Sequence, residues 1–239
     1  LVSYGATWGA RVVGHRLELH LPIRSRDMHS TPVSRLGGVA IFLGVMTALI
    51  VASQSFFVKD IYRNNFSPWG VLAGAAVIVL VGVADDLLDI RWWVKLIGQS
   101  AAALTVAVWG VQMTIVPWVP EPIYLENETI RVVLTAGLIV TTMNAFNLID
   151  GLDGLAAGVA IIGGTAFFFT AYWVHRNAVL LDYSDLATLI TAVLVGSCLG
   201  FLPHNWFPSK IFMGDSGAML IGLLMASAGV VSTGQITSG

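Results

Sequence analysis

Four polar clusters interrupt a chain that is otherwise strongly apolar. Their residue types are those that handle phosphate and divalent cations. The first is Asp85-Asp86-Leu-Leu-Asp89. On a helix, Asp85 and Asp89 are four apart and Asp86 and Asp89 three apart, so the carboxylates share a face. Acids this close repel one another unless a cation neutralises them. Mg²⁺ prefers oxygen ligands, usually one or two carboxylates completed by water and substrate phosphate; a solvated helix end is the alternative. The second cluster is Asn144-Ala-Phe-Asn-Leu-Ile-Asp-Gly-Leu-Asp-Gly154, in which Asn144, Asn147, Asp150 and Asp153 recur at spacings of three. A continuous helix would place them in one polar stripe, whereas Gly151 and Gly154 argue that the helix breaks and leaves free backbone groups beside oxygen ligands. Capping plus a turn would explain part of this pattern, but four amide or carboxyl side chains exceed what a cap requires.

The third cluster is Phe212-Met-Gly-Asp215-Ser-Gly217. An Asp among glycines at a helix start is open to a metal or a phosphate, and it is also an ordinary N-cap. Ten residues earlier Asn205 is placed to converge with Asp215. His204 reads equally well as an interfacial histidine. The fourth cluster joins Arg35 to Gly37-Gly38, where paired glycines suggest close packing or ligand approach. Arg24, Arg26 and Arg35 are candidates for an anionic head group or phosphate, or simply set topology. Arg91, Lys95 and Lys210 are candidate phosphate contacts, or partners of the acids and positive-inside residues.

The elements that must position these groups are membrane helices. Of 239 residues, 56% are hydrophobic and 11% charged, far below the ~25% charge of a soluble domain. Mean hydropathy is +0.80. The net charge of −2 and the absence of a basic block give no footing for nucleic acid. Cys198 is the single cysteine and reads as a small core residue. A span needs about 20 mostly apolar residues. Leu1–Val13 reads as the tail of a first span. Seven full spans are expected near Leu36–Gln54, Pro68–Ala84, Val94–Gln112, Ile130–Phe146, Leu155–Val174, Leu186–Pro203 and Ala218–Thr233. The fold expected is therefore all-α, a polytopic integral membrane helical bundle.

Eight of the Lys and Arg residues fall in the loops that carry the polar clusters and four (Lys59, Arg63, Arg131 and Arg176) in the opposite set. The positive-inside rule makes the clustered face cytoplasmic. The other loops, with Asn64-Asn65, Pro117–Pro122 and 182–185, read as turn and interface material, and Trp118 and Tyr124 suit an aromatic belt.

Taken together the motifs resemble the polyprenyl-phosphate N-acetylhexosamine-1-phosphate transferases, bacterial membrane enzymes that begin cell-wall and surface-glycan synthesis. The pieces are Thr31-Pro-Val-Ser-Arg-Leu-Gly-Gly38, Asp85-Asp86 with Asp89, Asn144 to Gly154, and Lys210-Ile-Phe-Met-Gly-Asp-Ser-Gly217, in the family's order. Pro32 to Gly38 and Asp89 look like the branch that uses UDP-N-acetylglucosamine for teichoic acid, lipopolysaccharide O-antigen or mycobacterial-type linker units. The branch that transfers phospho-MurNAc-pentapeptide usually has lysine where Asp89 stands, and ranks second. The family has ten or eleven spans of about 20 residues each and a His-rich cytoplasmic motif near its C-terminal end. The histidines here, His15, His20, His29, His175 and His204, are scattered, so the chain is expected to be a fragment truncated after Gly239.

The resemblance implies UDP-GlcNAc and polyprenyl phosphate as substrates, Mg²⁺ (or Mn²⁺) as cofactor, the bacterial plasma membrane as location and a homodimer as the assembly to test. It implies Asp85 and Asp86 as catalytic residues and Asp215, Asn147 and Asp150 as metal ligands. Asp89, Lys95, Asn144, Asn147, Asp150, Asp153, Asn205, Lys210 and Arg35 are then the substrate contacts. Two rival readings weigh less. An intramembrane prenyltransferase would need two matched acidic helix–loop units, and a secondary transporter would carry its acids at mid-membrane across inverted repeats.

Overall fold

A computed structural model describes residues 1–16, 33–56, 58, 61–62, 66–116, 123–177 and 183–233. Arg24, Arg26, residues 29–32, Lys59, Arg63, Asn64-Asn65, residues 117–122 with Trp118, and residue 182 lie outside them. The helices are α1 (Val2–Arg16), α2 (Gly37–Gln54), α3 (Ser67–Leu88), α4 (Trp92–Val108), α5 (Glu128–Ile149), α6 (Leu155–Asn177), α7 (Tyr183–Asn205) and α8 (Gly214–Thr233). Among the described residues the exception to an all-α fold is a two-residue antiparallel pair, β1 (Ile115–Val116) and β2 (Ile123–Tyr124).

Among the described residues six helices (α2, α3, α5, α6, α7 and α8) are long and apolar enough to cross a bilayer. The chain is a multi-pass membrane protein. The seven expected spans all appear as helices, with one correction. The span expected over Val94–Gln112 is the 17-residue α4, which closes at Val108. Gly110 at φ 110° provides the left-handed step after the cap. Its N–H donates to Ala107 and that of Val111 to Val106, which satisfies the last carbonyls in a Schellman arrangement.

Helix starts follow local chemistry. Pro68 lies in the first turn of α3, where its missing N–H costs nothing. Asn127 caps α5 by accepting from the Ile130 N–H at 3.2 Å. Hydroxyls inside the spans donate to carbonyls of their own helix, as with Thr47 to Leu43 and Thr141 to Gly137. Lipid offers them no other partner.

The bundle is built around α8. Its sequence from Ala218 to Val231 is apolar or small on every side, the pattern of a helix enclosed all round. Neighbours α2, α3, α5, α6 and α7 enclose it, so nearly the whole helix is buried. Outside this ring, α4 packs on α3 and α5, and α1 on α2 and α7. Glycines bring the inner helices to backbone contact: Gly38 and Gly82 both lie against the Ser216–Gly217 start of α8. The expectation of close packing at Gly37-Gly38 is met, since their N–H groups donate to Phe212 and Met213 at 3.1 and 2.8 Å.

Candidate active site

The polar clusters meet where α3, α5 and α8 reach the same end of the bundle. Asp85 and Asp86 lie within the last turn of α3, which runs past the expected end at Ala84. Adjacent on a helix, they point in different directions and have different partners.

Asp86 is 6% exposed and accepts at the N-terminus of α8. Its Oδ1 takes the Asp215 N–H at 2.9 Å; its Oδ2 takes the Ser216 N–H at 3.2 Å and the Ser216 hydroxyl at 3.0 Å. These are orphan donors of a helix start, and a carboxylate there also suits the helix dipole. Gly214 sits at φ 73°, and a Cβ on it would come within 2.6 Å of both the Arg35 carbonyl and Asp86 Oδ2. Glycine is therefore required by the turn and by the approach of the carboxylate.

Asp85 faces Lys95 of α4. The Lys95 ammonium donates to Asp85 Oδ2 at 2.9 Å, to Asn147 Oδ1 at 3.4 Å and to Asp215 Oδ2. Asn147 in turn donates to Asp215 Oδ1 at 2.9 Å. Four helices thus contribute one residue each to a single polar node. Its members are partly open, at 12% exposure for the Asp85 side chain, 16% for Lys95 and 30% for Asp215.

The Asn144–Gly154 stretch is both helix and break. Asn144 and Asn147 lie on α5, Asp150 is its C-cap residue, and Asp153 lies in the turn that follows. Asp215 and Asp150 share a cleft of about 250 Å³ with Asp153, Asn205 and Arg35. Burial pushes the Asp150 carboxyl up to about 7, helped by the negative charges of Asp215, Asp86 and Asp153 and opposed by Arg35. The cleft therefore holds more carboxylate than its cations neutralise, which draws cations.

Several expected contacts serve the scaffold. Asn205 converges with Asp215 on the cleft, but its amide ties loops: Oδ1 accepts from Gly154 N–H at 3.0 Å and Nδ2 donates to Ile211 at 3.0 Å. Asp153 Oδ2 accepts from Ser209 N–H at 3.1 Å. Asn144 pairs with Gln99 on α4, Nδ2 to Oε1 at 2.9 Å. Asp89 is the left-handed C-cap of α3 and exposed, and its N–H donates to the Asp85 carbonyl at 3.0 Å. The continuous helix on which the three acids would share a face ends at Leu88. Lys210 is exposed and does not line the cleft. His204 is buried with its ring 4.6 Å from Tyr4.

One residue of this region lies outside the motifs. Gln99 follows Lys95 by one turn on a mostly apolar helix, and that spacing of polar residues is the signal that points to it. Ser216 stands inside the Phe212–Gly217 motif, but its hydroxyl bond to Asp86 is not visible in the spacing.

Among the described residues no three Asp, Glu, His or Cys side chains group closely enough to hold a metal ion. The donor chemistry nevertheless suits Mg²⁺, which takes one or two carboxylates and completes its shell with water and phosphate. Asp215, Asn147 and Asp150 supply oxygens at the node and in the adjoining cleft.

Comparison with known proteins places the chain among related sequences. The family model described as "Glycosyl transferase family 4" matches residues 68–233. The decaprenyl-phosphate N-acetylglucosaminephosphotransferase of Mycobacterium leprae is 38% identical over 99% of this chain and 60% of that protein. The protein of the same name from Mycobacterium tuberculosis (strain ATCC 25618 / H37Rv) is 37% identical over 99% of this chain and 59% of its own length. The phospho-N-acetylmuramoyl-pentapeptide-transferase of Mycobacterium sp. (strain KMS) is 32% identical over 93% of this chain and 69% of that protein. The chain thus spans about 60% of the length of the first of these relatives.

Proposed function

Because the chain belongs to glycosyl transferase family 4, we propose that it transfers N-acetylglucosamine-1-phosphate from UDP-GlcNAc to a polyprenyl phosphate. The products are polyprenyl-diphospho-GlcNAc and UMP. The observation that carries this reading is the node of Asp85, Lys95, Asn147 and Asp215 opening onto a polar cleft at one end of the bundle. Asp215 belongs to both, so a water-soluble donor in the cleft and a lipid acceptor beside α3 and α4 would meet there.

In the reaction an oxygen of the lipid phosphate attacks the β-phosphorus of UDP-GlcNAc. The bond from that phosphorus to the UMP oxygen breaks and UMP leaves as the anion. Both reactants are negative, so the barrier is largely electrostatic. A phosphate monoester has its second pKa at about 6 and is mostly ionised near pH 7, so a strong base is not required. Asp85 then serves by orienting Lys95, whose ammonium meets phosphate oxygens. Asp86 is a positioning residue that sets the start of α8 and with it the Asp215 side chain. Arg35, Asp150 and Asp153 frame the nucleotide side, and Asn205 holds its loops. Asp215, Asn147 and Asp150 would hold Mg²⁺, or Mn²⁺ in its place, which supplies charge neutralisation at the diphosphate and stabilises the departing UMP.

The site end of the bundle faces the cytoplasm of a bacterium, in keeping with the bias of Lys and Arg toward the loops on that side. A second reading, transfer of phospho-MurNAc-pentapeptide, is favoured by the 32% identity to a protein of that name. The whole protein in nanodiscs with polyprenyl phosphate and Mg²⁺ separates the two. UMP release is expected from UDP-GlcNAc and not from UDP-MurNAc-pentapeptide. Asp215→Asn is expected to lower the rate roughly 100-fold or more. Turnover of the pentapeptide donor alone, or an unchanged rate in Asp215→Asn, would reject the proposal.

A further inference from the structure

Lys95 is placed unusually for a phosphate contact. Its ammonium is surrounded by oxygens from three other helices: Asp85 Oδ2 of α3 at 2.9 Å, Asn147 Oδ1 of α5 at 3.4 Å, and Asp215 Oδ2 of α8. An ammonium donates three hydrogen bonds and accepts none. Here each donor direction has an oxygen partner, two of them carboxylates. Such a set of oxygens is what a hard divalent cation also takes. The Asn147 amide completes the pattern, donating to Asp215 Oδ1 at 2.9 Å while its own oxygen points to the ammonium.

We infer that the Lys95 ammonium is a built-in cation that occupies two of the oxygens of the metal site, those of Asn147 and Asp215, and that a divalent cation binds there by displacing it. The inference rests on the metal-site reading above and adds a competition to it. Without lysine or metal, Asp85 and Asp215 would face each other uncompensated at the junction of α3 and α8. With lysine in place one of the two negative charges is balanced, and α3 and α8 are bridged through one ammonium before any ligand arrives. On displacement, the four-carbon stem lets the ammonium move to the edge of the node, where an incoming phosphate is its ordinary partner. One side chain then has two positions, coupled through shared oxygens, and each ligand of those oxygens weakens the other.

Mn²⁺ binding, followed by electron paramagnetic resonance on the whole protein in nanodiscs without substrates, tests this. Lys95→Met keeps the stem and removes the charge. It is expected to bind Mn²⁺ roughly 5- to 100-fold more tightly than the wild type, and to melt at lower temperature without metal, with Mn²⁺ restoring most of the loss. Lys95→Arg keeps the charge and should bind no more tightly than the wild type. A measurement on the unaltered protein covers the case in which Lys95→Met fails to fold: acetylation of Lys95 by an amine-reactive ester, read by peptide mass spectrometry, should rise when Mg²⁺ is added. Unchanged or weaker Mn²⁺ binding in folded Lys95→Met, or acetylation that does not rise, overturns the competition. If Asp215→Asn still abolishes Mn²⁺ binding in that case, the metal-site reading survives alone. Absence of Mn²⁺ binding in both wild type and Lys95→Met would overturn the two together.

Discussion

Asp86 and Asp215 are one hydrogen bond apart, yet substitution should distinguish them. The Asp86 carboxylate is buried and accepts three hydrogen bonds from the first residues of α8. Asp86→Asn leaves a single acceptor oxygen and places an amide against backbone donors. A cost of about 1–3 kcal/mol follows from buried donors losing partners, read as a lower melting temperature in detergent. Asp215 is more open and its oxygens meet side chains rather than backbone. Asp215→Asn should leave the melting temperature nearly unchanged and remove Mn²⁺ binding. Equal thermal losses in the two variants would contradict this division. Asp150 gives the pH dependence. Its carboxyl is raised from 3.8 to about 7, first by burial and then by neighbouring acids. The folded state therefore keeps a proton that the unfolded chain has released, so metal-free stability falls as pH rises from 3.8 to about 7. Cation binding needs the ionised form and strengthens over the approach to pH 7. In Asp150→Asn, Mn²⁺ titrations between pH 5.5 and 8, a range of about one and a half units below and one above that value, should lose most of this slope. A wild-type affinity that is flat across the range would remove Asp150 from the site.

At the scale of elements, the start of α8 is held by glycines on its neighbours. A Cβ on Gly82 of α3 would collide with the Ser216 backbone, and one on Gly38 of α2 with the Gly217 N–H. The nearest atoms are backbone, so rotating the Ser216 side chain would not relieve either collision. Gly82→Ala and Gly38→Ala should each cost about 1–3 kcal/mol, and should shift Asp215 away from Lys95 with loss of transfer activity. Gly137 of α5 has nothing within 4 Å of its added Cβ, and Gly137→Ala should leave melting and activity unchanged or slightly improved. Thermal unfolding of the three variants side by side checks this; similar behaviour of Gly82→Ala and Gly137→Ala would contradict the packing argument. The Asn144–Gly154 stretch belongs to this scale too. Its first half continues α5 and its second half breaks. The helix part sends Asn147 to the node, and the break turns Asp150 and Asp153 into the cleft and the loop bonds beside it.

Over the whole molecule, the topology predicts opposite labelling of the two ends. Asp89 lies at the site end of α3 and Glu126 just before α5, at the other end, and both are exposed. The one native cysteine, Cys198, is fully buried and provides a silent background. A membrane-impermeant maleimide added to intact cells should label Glu126→Cys and spare Asp89→Cys, and inverted vesicles should reverse the result. Labelling of both from one side would refute the orientation. The sequence by itself determined the membrane class, the number and order of the main helices and the cluster of polar motifs on one face. Each follows from local chemistry: apolar runs long enough to span, a bias of Lys and Arg, and groups that hydrocarbon cannot solvate. The motif residues Asp85, Asn147, Asp150 and Asp215 were legible for the same reason. Only the tertiary structure decided how these acids divide their work. Asp85 and Asp86 are neighbours with the same side chain, and no local pattern says that one caps a helix 129 residues away while the other holds Lys95. Nor does spacing reveal that Lys95 stands among oxygens from three other helices. Those assignments depend on which helices pack together, and that is settled by glycine contacts and by the burial of α8, which are properties of the assembled bundle.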